Sequence, residues 1–362
     1  MMAAQLTDFT SATVSMAADA NVFIALTFSV VMCAYTDLRW NDMIAAVASL
    51  KAQTVVPHEI ILVIDHNAAL YYRTLAHYAH ESLSGDQIAV RVIENAEAQG
   101  LSGARNTGLA AAQAEIIAFI DEDAAAASDW LAQLAVHYAD ARVMGVGGAI
   151  HPVWLGGRPK WFPEEFDWVV GCTYRGMPET RATVRNMIGC NMSMRRNICT
   201  ANGGFRSGIG RIGTLPVGCE ETEYCIRALQ RFPDQWFIFE PAARVYHNVP
   251  QTRGTWRYFR SRCYAEGISK ALIGQFVGAK SSLSSEKTYV IKTLPRAFLR
   301  GIARTFVRFD LHGLAQSAAV VMGLGLTGVG YLKTRARQMI DRRRNAPLIS
   351  TPELHQEERE GV

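Results

Sequence analysis

The stretch that most constrains this chain is Glu115-Ile-Ile-Ala-Phe-Ile-Asp-Glu-Asp123. Ile116 to Ile120 are apolar without interruption. A strand with no polar face belongs in a parallel sheet covered by helices on both sides. The run stops on Asp121, Glu122 and Asp123. In open α/β sheets ligands bind outside the carboxyl ends of the strands, so these acids stand where a ligand would. Alternate side chains of an extended segment share a face, which lets Asp121 and Asp123 point one way and Glu122 another. Two hard carboxylates on one side suit Mg²⁺ or Mn²⁺, whose other positions are filled by water and phosphate oxygens. A solvated acidic turn capping a helix at Ser128 or Asp129 explains the same acids without a ligand.

The surrounding segments repeat this logic. Phe28 to Cys33 predicts a first strand, followed by Ala34, Tyr35 and Thr36. Apolar positions at Met43, Ile44, Val47 and Leu50 predict a helix ending near Gln53. Glu59 to Ile64 predicts a second strand, closing on Asp65, and Val90 to Ile93 a third. This alternation implies right-handed parallel crossovers and a Rossmann-like sheet. No G-x-G-x-x-G follows the first strand, which argues against a dinucleotide site. The stretch Gly100 to Gly108 leads into a helix expected over 109–114, and its Arg105 marks a candidate anion site.

Beyond the acids the pattern predicts a helix over 130–138, a strand over 143–150 and an aromatic excursion over 154–174. A strand-like run over 185–196 carries Gly189 and Cys190, small enough for a ligand to approach the backbone. A glycine-rich loop, 203–218, precedes Glu220 and Glu221 in the first turn of an expected helix. The helix dipole favours acids there, so capping is a reading alongside catalysis. His247 closes a short strand-like segment and Arg253 follows. His247 also admits a purely structural, buried role.

These pieces, in this order, resemble the inverting nucleotide-sugar transferases of glycosyltransferase family 2. The matching stretches are Cys33-Ala-Tyr-Thr36, Asp65, Gly103-Ala-Arg-Asn-Thr-Gly108, Asp121-Glu-Asp123, Gly189-Cys-Asn-Met-Ser-Met-Arg195 and Glu220-Glu221, spread over residues 27–270. The resemblance implies the GT-A fold. It also implies that Ala34, Tyr35 and Asp65 hold the nucleobase and ribose of a UDP-type donor. Asp121 and Asp123 would lie by the ribose and the metal-bound diphosphate, with His247 and Arg253 near the same metal and phosphates. Glu221 or Glu220 would be the base; the family usually has Glu-Asp there, so the pair does not say which. Asp65-His66-Asn67, residues 161–176 and residues 213–221 resemble a narrower group, archaeal transferases that add glucuronate to a glucosyl-dolichyl phosphate. A uronate donor would want an arginine near the sugar, and Arg175, Arg185 and Arg195 are candidates.

Composition adds a compartment and a surface. With 362 residues, 49% of them hydrophobic and 19% charged, the chain can bury one large core or two modest ones. Seven cysteines without zinc-like spacing point to reduced thiols in the cytosol. Residues 1–26 read as a loose leader, with no basic region ahead of an apolar stretch to make a signal peptide. Residues 285–345 hold twelve Lys and Arg against three acids, while the whole chain is only +4. Arg296, Arg300, Arg304 and Arg308 recur every fourth residue opposite Phe298, Leu299, Ile302 and Phe306, a cationic amphipathic helix suited to an anionic membrane surface. Nucleic acid is disfavoured, because binding phosphates needs no such apolar face. Leu311 to Leu332 has no charge and is long enough to span a bilayer, but its glycines, His312, Gln316 and Ser317 dilute it, which favours an interfacial or re-entrant helix.

The expected organisation is therefore α/β, a Rossmann-like mixed GT-A sheet with a carboxyl-terminal amphipathic and hydrophobic helical segment. Its parts are a nucleotide-sugar-binding half (27–125), an acceptor and catalytic half (126–275), a membrane-associating segment (285–345) and a disordered tail (346–362). The expected activity is metal-dependent transfer from a UDP-type nucleotide sugar to a lipid-linked or saccharide acceptor, at the cytoplasmic face of the membrane. A polyprenyl-phosphate or polysaccharide transferase of the same fold is the near alternative. A nucleotide-binding regulatory protein is the alternative without catalysis.

Overall fold

The computed structural model describes residues 26–82, 88–207, 209–210, 218–278 and 286–344. All but the last residue of the leader, the whole tail and half of the glycine-rich loop lie outside the described residues. Four parallel strands form one half of the sheet: β1 (Phe28–Ala34), β2 (Glu59–Ile64), β3 (Ala89–Glu94) and β4 (Ile116–Asp121), in the order β3-β2-β1-β4. Their alternate side chains divide between two cores. Val30, Met32, Ile116, Ala118 and Ile120 face one side, and Val31, Ile117 and Phe119 the other. Helices α1 (Trp40–Lys51), α2 (Ala68–Ser82) and α3 (Leu101–Ala111) link these strands. Both faces of β4 are buried, as its uninterrupted apolar run requires.

The other half of the sheet is mixed. β4 pairs antiparallel with β8 (Asn191–Arg195), which pairs antiparallel with β6 (Val143–Trp154). β6 in turn runs parallel to β9 (Trp236–Val249), whose far side carries β5 (Ala124–Ala126) and β7 (Ala182–Val184). Three short or regular helices complete this half: α4 (Trp130–Ala135), α5 (Arg196–Asn202) and α6 (Glu220–Arg231). The change from parallel to antiparallel pairing falls on β4, the strand that ends in the acids. A single α/β sheet of the GT-A kind results.

One expectation is corrected here. The helix after the third strand starts at Leu101, not at 109, so the glycine-flanked stretch is itself helical. Its glycines are set by close approach. A Cβ on Gly103 would lie 2.1 Å from the Ala98 carbonyl oxygen, and one on Gly108 2.3 Å from Val31 of β1.

Residues 286–344 pack onto the body. Helix α7 (Trp256–Val277) is followed, beyond Glu286, by α8 (Leu294–Arg308) and the long α9 (His312–Arg344). α9 lies against α7 at near-contact distance. A Cβ on Gly267 would sit 2.0 Å from the Thr327 carbonyl oxygen, and one on Gly330 2.2 Å from that of Tyr264. The Thr327 hydroxyl donates to the Cys263 carbonyl at 3.0 Å. α8 buries only Leu294, Ala297, Gly301 and Thr305. Its bulky Phe298, Leu299 and Phe306 are exposed. By length and composition, His312–Asp341 could cross a membrane, although part of it is buried against the body.

Candidate active site

The ends of the parallel strands stand side by side: Cys33 pairs in register with both Val63 and Asp121. Asp65, just past β2, ties this edge together. It accepts from the Asn95 side chain at 2.7 Å and from the Gly100 amide at 2.9 Å, and His66 Nδ1 lies 2.9 Å away. Ala34, Tyr35 and Asp65 line a cavity of about 660 Å³ that also contains Asp121, Asp123, Glu220, Glu221, His247 and Arg253. The residues expected at the nucleotide, metal and base positions thus line one space, Arg105 included.

His247 reaches the acids through strand pairing. It lies opposite Ala124, and the Asn248 amide donates to the Asp123 carbonyl at 2.8 Å. His247 Nε2 is 3.1 Å from Asp123 Oδ1. Ligating atoms of Asp121, Asp123 and His247 all fall within 4.8 Å of one another, the geometry of a divalent-cation site. Two hard oxygens and an imidazole fit an ion of the Mg²⁺ or Mn²⁺ type. Burial pushes the Asp123 carboxyl up, but His247, Arg39 and Arg253 overcome it and hold it well below the usual carboxylate range. It is therefore ionised and ready to ligate. Cys172 Sγ lies 3.7 Å from His247 Nδ1, which leaves Nε2 as the ring atom aimed at the acids.

Arg39 is the site residue that the sequence did not disclose. Its guanidinium is 2.6 Å from Glu122 and 3.1 Å from Asp123. Arg253 adds a second cation 3.4 Å from Asp123. Glu122 does not turn away from the cluster as simple alternation predicts: it shares the Arg39 guanidinium with Asp123 and lines the same cavity. Burial first, and then Asp123, raise its carboxyl to about 7 against the pull of Arg39.

Across the cavity the two glutamates part company. Cys219, in a left-handed conformation with φ 73°, starts α6, and its thiol lies 3.4 Å from Glu266. Glu220 is buried and 2.5 Å from Arg105, whose other terminal nitrogen lies 3.5 Å from Asp121. The same guanidinium occupies the space beside Gly189, where a Cβ would sit 2.5 Å from it. The smallness at Gly189 therefore makes room for Arg105 rather than for a ligand. Glu221 makes no ion pair among the described residues. Burial and the neighbouring Glu220 carboxylate raise it to about 8, with Arg105 opposing.

The three candidate uronate readers separate as well. Arg185 lines the cavity, with its fork on Glu286 at 2.9 and 3.0 Å. Arg175 pairs with Glu164, away from the acids. Arg195 donates to the Tyr138 and Val143 carbonyls at 2.7 and 2.8 Å and holds β6. All seven cysteines are free thiols.

A GT-A sheet with clustered acids at its switch point defines a glycosyltransferase. The profile described as Glycosyl transferase family 2 matches residues 29–201. A glucosyl-dolichyl phosphate glucuronosyltransferase of Haloferax volcanii is 30% identical over 306 residues, covering 84% of this chain and 95% of that protein. The chain belongs to glycosyltransferase family 2. The succinoglycan biosynthesis protein ExoM of Rhizobium meliloti is 26% identical over 311 residues, covering 81% of this chain and 91% of that one. Among solved structures, the mannosyltransferase PcManGT from Pyrobaculum calidifontis, in complex with GDP-Man and Mn²⁺, shares the fold. Its TM-score is 0.54 at 16% identity, with 85% of this chain and 87% of that one covered.

Proposed function

We propose that this chain transfers a sugar, with inversion, from a UDP-type nucleotide sugar to a lipid-linked acceptor at the cytoplasmic face of a membrane. The observation that carries the reading is the Asp121–Asp123–His247 cluster sharing one cavity with Glu221, which makes no ion pair among the described residues. Asp121, Asp123 and His247 would hold Mg²⁺ or Mn²⁺, which when bound supplies Lewis-acid stabilisation to the departing diphosphate. Arg39 and Arg253 add positive charge at the same place. Tyr35 and Asp65, at the rim of the parallel strands, bind the nucleoside.

Glu221 takes the proton from the acceptor hydroxyl as it attacks the anomeric carbon from the face opposite the diphosphate. Its raised carboxyl suits a base working near neutral pH. Glu220 orients Arg105 and so the floor of the site. Direct displacement needs no enzyme nucleophile. The membrane reading is supported by the exposed apolar side chains of α8 beside Arg296 and Arg308, and by the acceptor in the Haloferax relative's name. The testing experiment is a screen of UDP-sugars with purified protein and Mn²⁺ or Mg²⁺, reading UDP release. Turnover that EDTA abolishes is expected; turnover indifferent to EDTA overturns the metal assignment.

A further inference from the structure

The cavity does not end at the acids. From Glu221 it runs along one face of α7, where Tyr258, Arg262, Glu266 and Lys270 recur every fourth residue and all line it. It then reaches a second end built by the carboxyl-terminal helices, from Val290, Leu294, Leu324, Tyr331 and Leu332. Three of these are rim residues rather than core: Val290 is 36% exposed, Leu324 40% and Leu332 67%. This second end is an apolar mouth.

The mouth continues an apolar surface outside. On α9, positions seven apart share a side of the helix. Leu314 and Val321, both exposed, thus lead along one side to Gly328 and then Leu332 at the cavity. α8 adds exposed Leu299, Phe306 and Val307, with Phe309 and Leu311 at the turn between the helices. Just inside the mouth the charge is cationic: Arg185, Arg262 and Lys270 against Glu266 and Glu286. Lys270 Nζ lies 2.7 Å from Glu286 and 3.4 Å from Glu266, so that carboxylates hold the cations in place around the channel.

Exposed apolar residues, a cationic group held by carboxylates, Glu221 and the metal-type cluster thus line one cavity. Resting on the lipid-linked reading above, we propose that this mouth admits the hydrocarbon chain of the acceptor. A polyisoprenoid chain lies over Val290, Leu324 and Leu332, its phosphate sits among Arg262 and Lys270, and the attached sugar presents its hydroxyl to Glu221. The donor nucleotide occupies the opposite end, by Tyr35 and Asp65. Donor and acceptor therefore enter one cavity from two directions, the acceptor from the side that carries the exposed apolar residues of α8 and α9.

The test uses the full-length protein with the UDP-sugar it turns over and three synthetic glucosyl-phosphate esters, carrying methyl, two-isoprene and four-isoprene groups. For the unmodified protein, KM should fall by about tenfold or more from methyl to four isoprenes, as a few buried methylenes require. In Leu324→Gln/Leu332→Gln that dependence should flatten to within about twofold. A misfolded variant is told apart because it loses turnover on every ester alike. For that case, a four-isoprene ester with a diazirine on its first isoprene is photolysed with the unmodified protein. Labelling of peptides holding Val290, Leu324 or Leu332 is expected. An unaltered chain-length dependence in the variant, or labelling only elsewhere, overturns the mouth while leaving the lipid-linked acceptor standing. Transfer to free oligosaccharides with none to any ester overturns the lipid-linked reading, and the mouth with it.

Discussion

Replacing Glu221 with Gln removes a proton acceptor while keeping shape, and the structure sets what should follow. Burial and Glu220 raise the carboxyl from 4.5 to about 8, so at pH 7 only about a tenth is ionised in the free enzyme. A base must be deprotonated to act, hence kcat/KM should climb with pH and level off above about 8. Loss of a general base costs about 10²–10⁴-fold, and the Gln variant should lose that much together with the pH dependence. Stability moves the other way. A carboxyl raised in the folded state keeps its proton where the unfolded chain would release it, so its contribution is lost as pH rises from 4.5 towards 8. Allowing for water in the cavity, Glu221→Gln should recover on the order of 2 kcal/mol at pH 8, a few degrees in Tm. Glu220→Gln should behave oppositely: it strands buried Arg105, at a cost of about 3–5 kcal/mol for a broken buried pair. Stopped-flow UDP release across pH 6–9 and calorimetry decide it. A stable, inactive Glu220→Gln beside a near-normal Glu221→Gln would refute the assignment.

Asp123→Asn leaves β4 untouched but removes a ligating oxygen and takes the carboxylate charge away from Arg39 and Arg253; Mn²⁺-dependent UDP binding by calorimetry should weaken by tenfold or more, and the melting temperature should fall, because a buried, paired carboxylate is lost. Gly267→Ala should force α9 off α7, because the new Cβ meets the Thr327 carbonyl at 2.0 Å; a loss of about 1–3 kcal/mol and of transfer to soluble acceptors is expected in calorimetry and UDP-release assays. Arg296→Gln/Arg308→Gln should weaken sedimentation with anionic vesicles by about tenfold or more, at about 1 kcal/mol per arginine. Arg300 and Arg304 are poorer probes of the membrane, since they pair with Glu165 and Asp310.

The parallel half of the sheet was legible because both its faces are covered: β1, β2, β3 and β4 each match the expected apolar run within a residue at either end. The acids at the end of β4 were legible for the same reason, and His247 entered through the family's order of motifs. Helix α3 was placed late because Gly103 and Gly108 look like helix breakers; only the packing against Ala98 and Val31 shows why glycine is needed. Arg39 belongs to no motif, and its role depends on how Asp37–Arg39 turns after β1. The glycines of α9 looked like diluted hydrophobicity. In the fold they let α9 approach α7 closely, and so bring residues far along the chain to the cavity wall. The four-residue spacing from Tyr258 to Lys270 was present in the sequence and gave a signal for a polar helix face, yet nothing in the sequence said what that face lined.

The central claim is sugar transfer with inversion, and the anomeric configuration of the product tests it most directly. The purified protein, Mn²⁺, an α-linked UDP-sugar and a glucosyl-phosphate polyprenyl acceptor are incubated, and the lipid product is read by proton NMR of its new anomeric centre. A β-linkage appearing in step with UDP release is the predicted result. An α-linkage, or UDP release with no sugar on the acceptor, would contradict it.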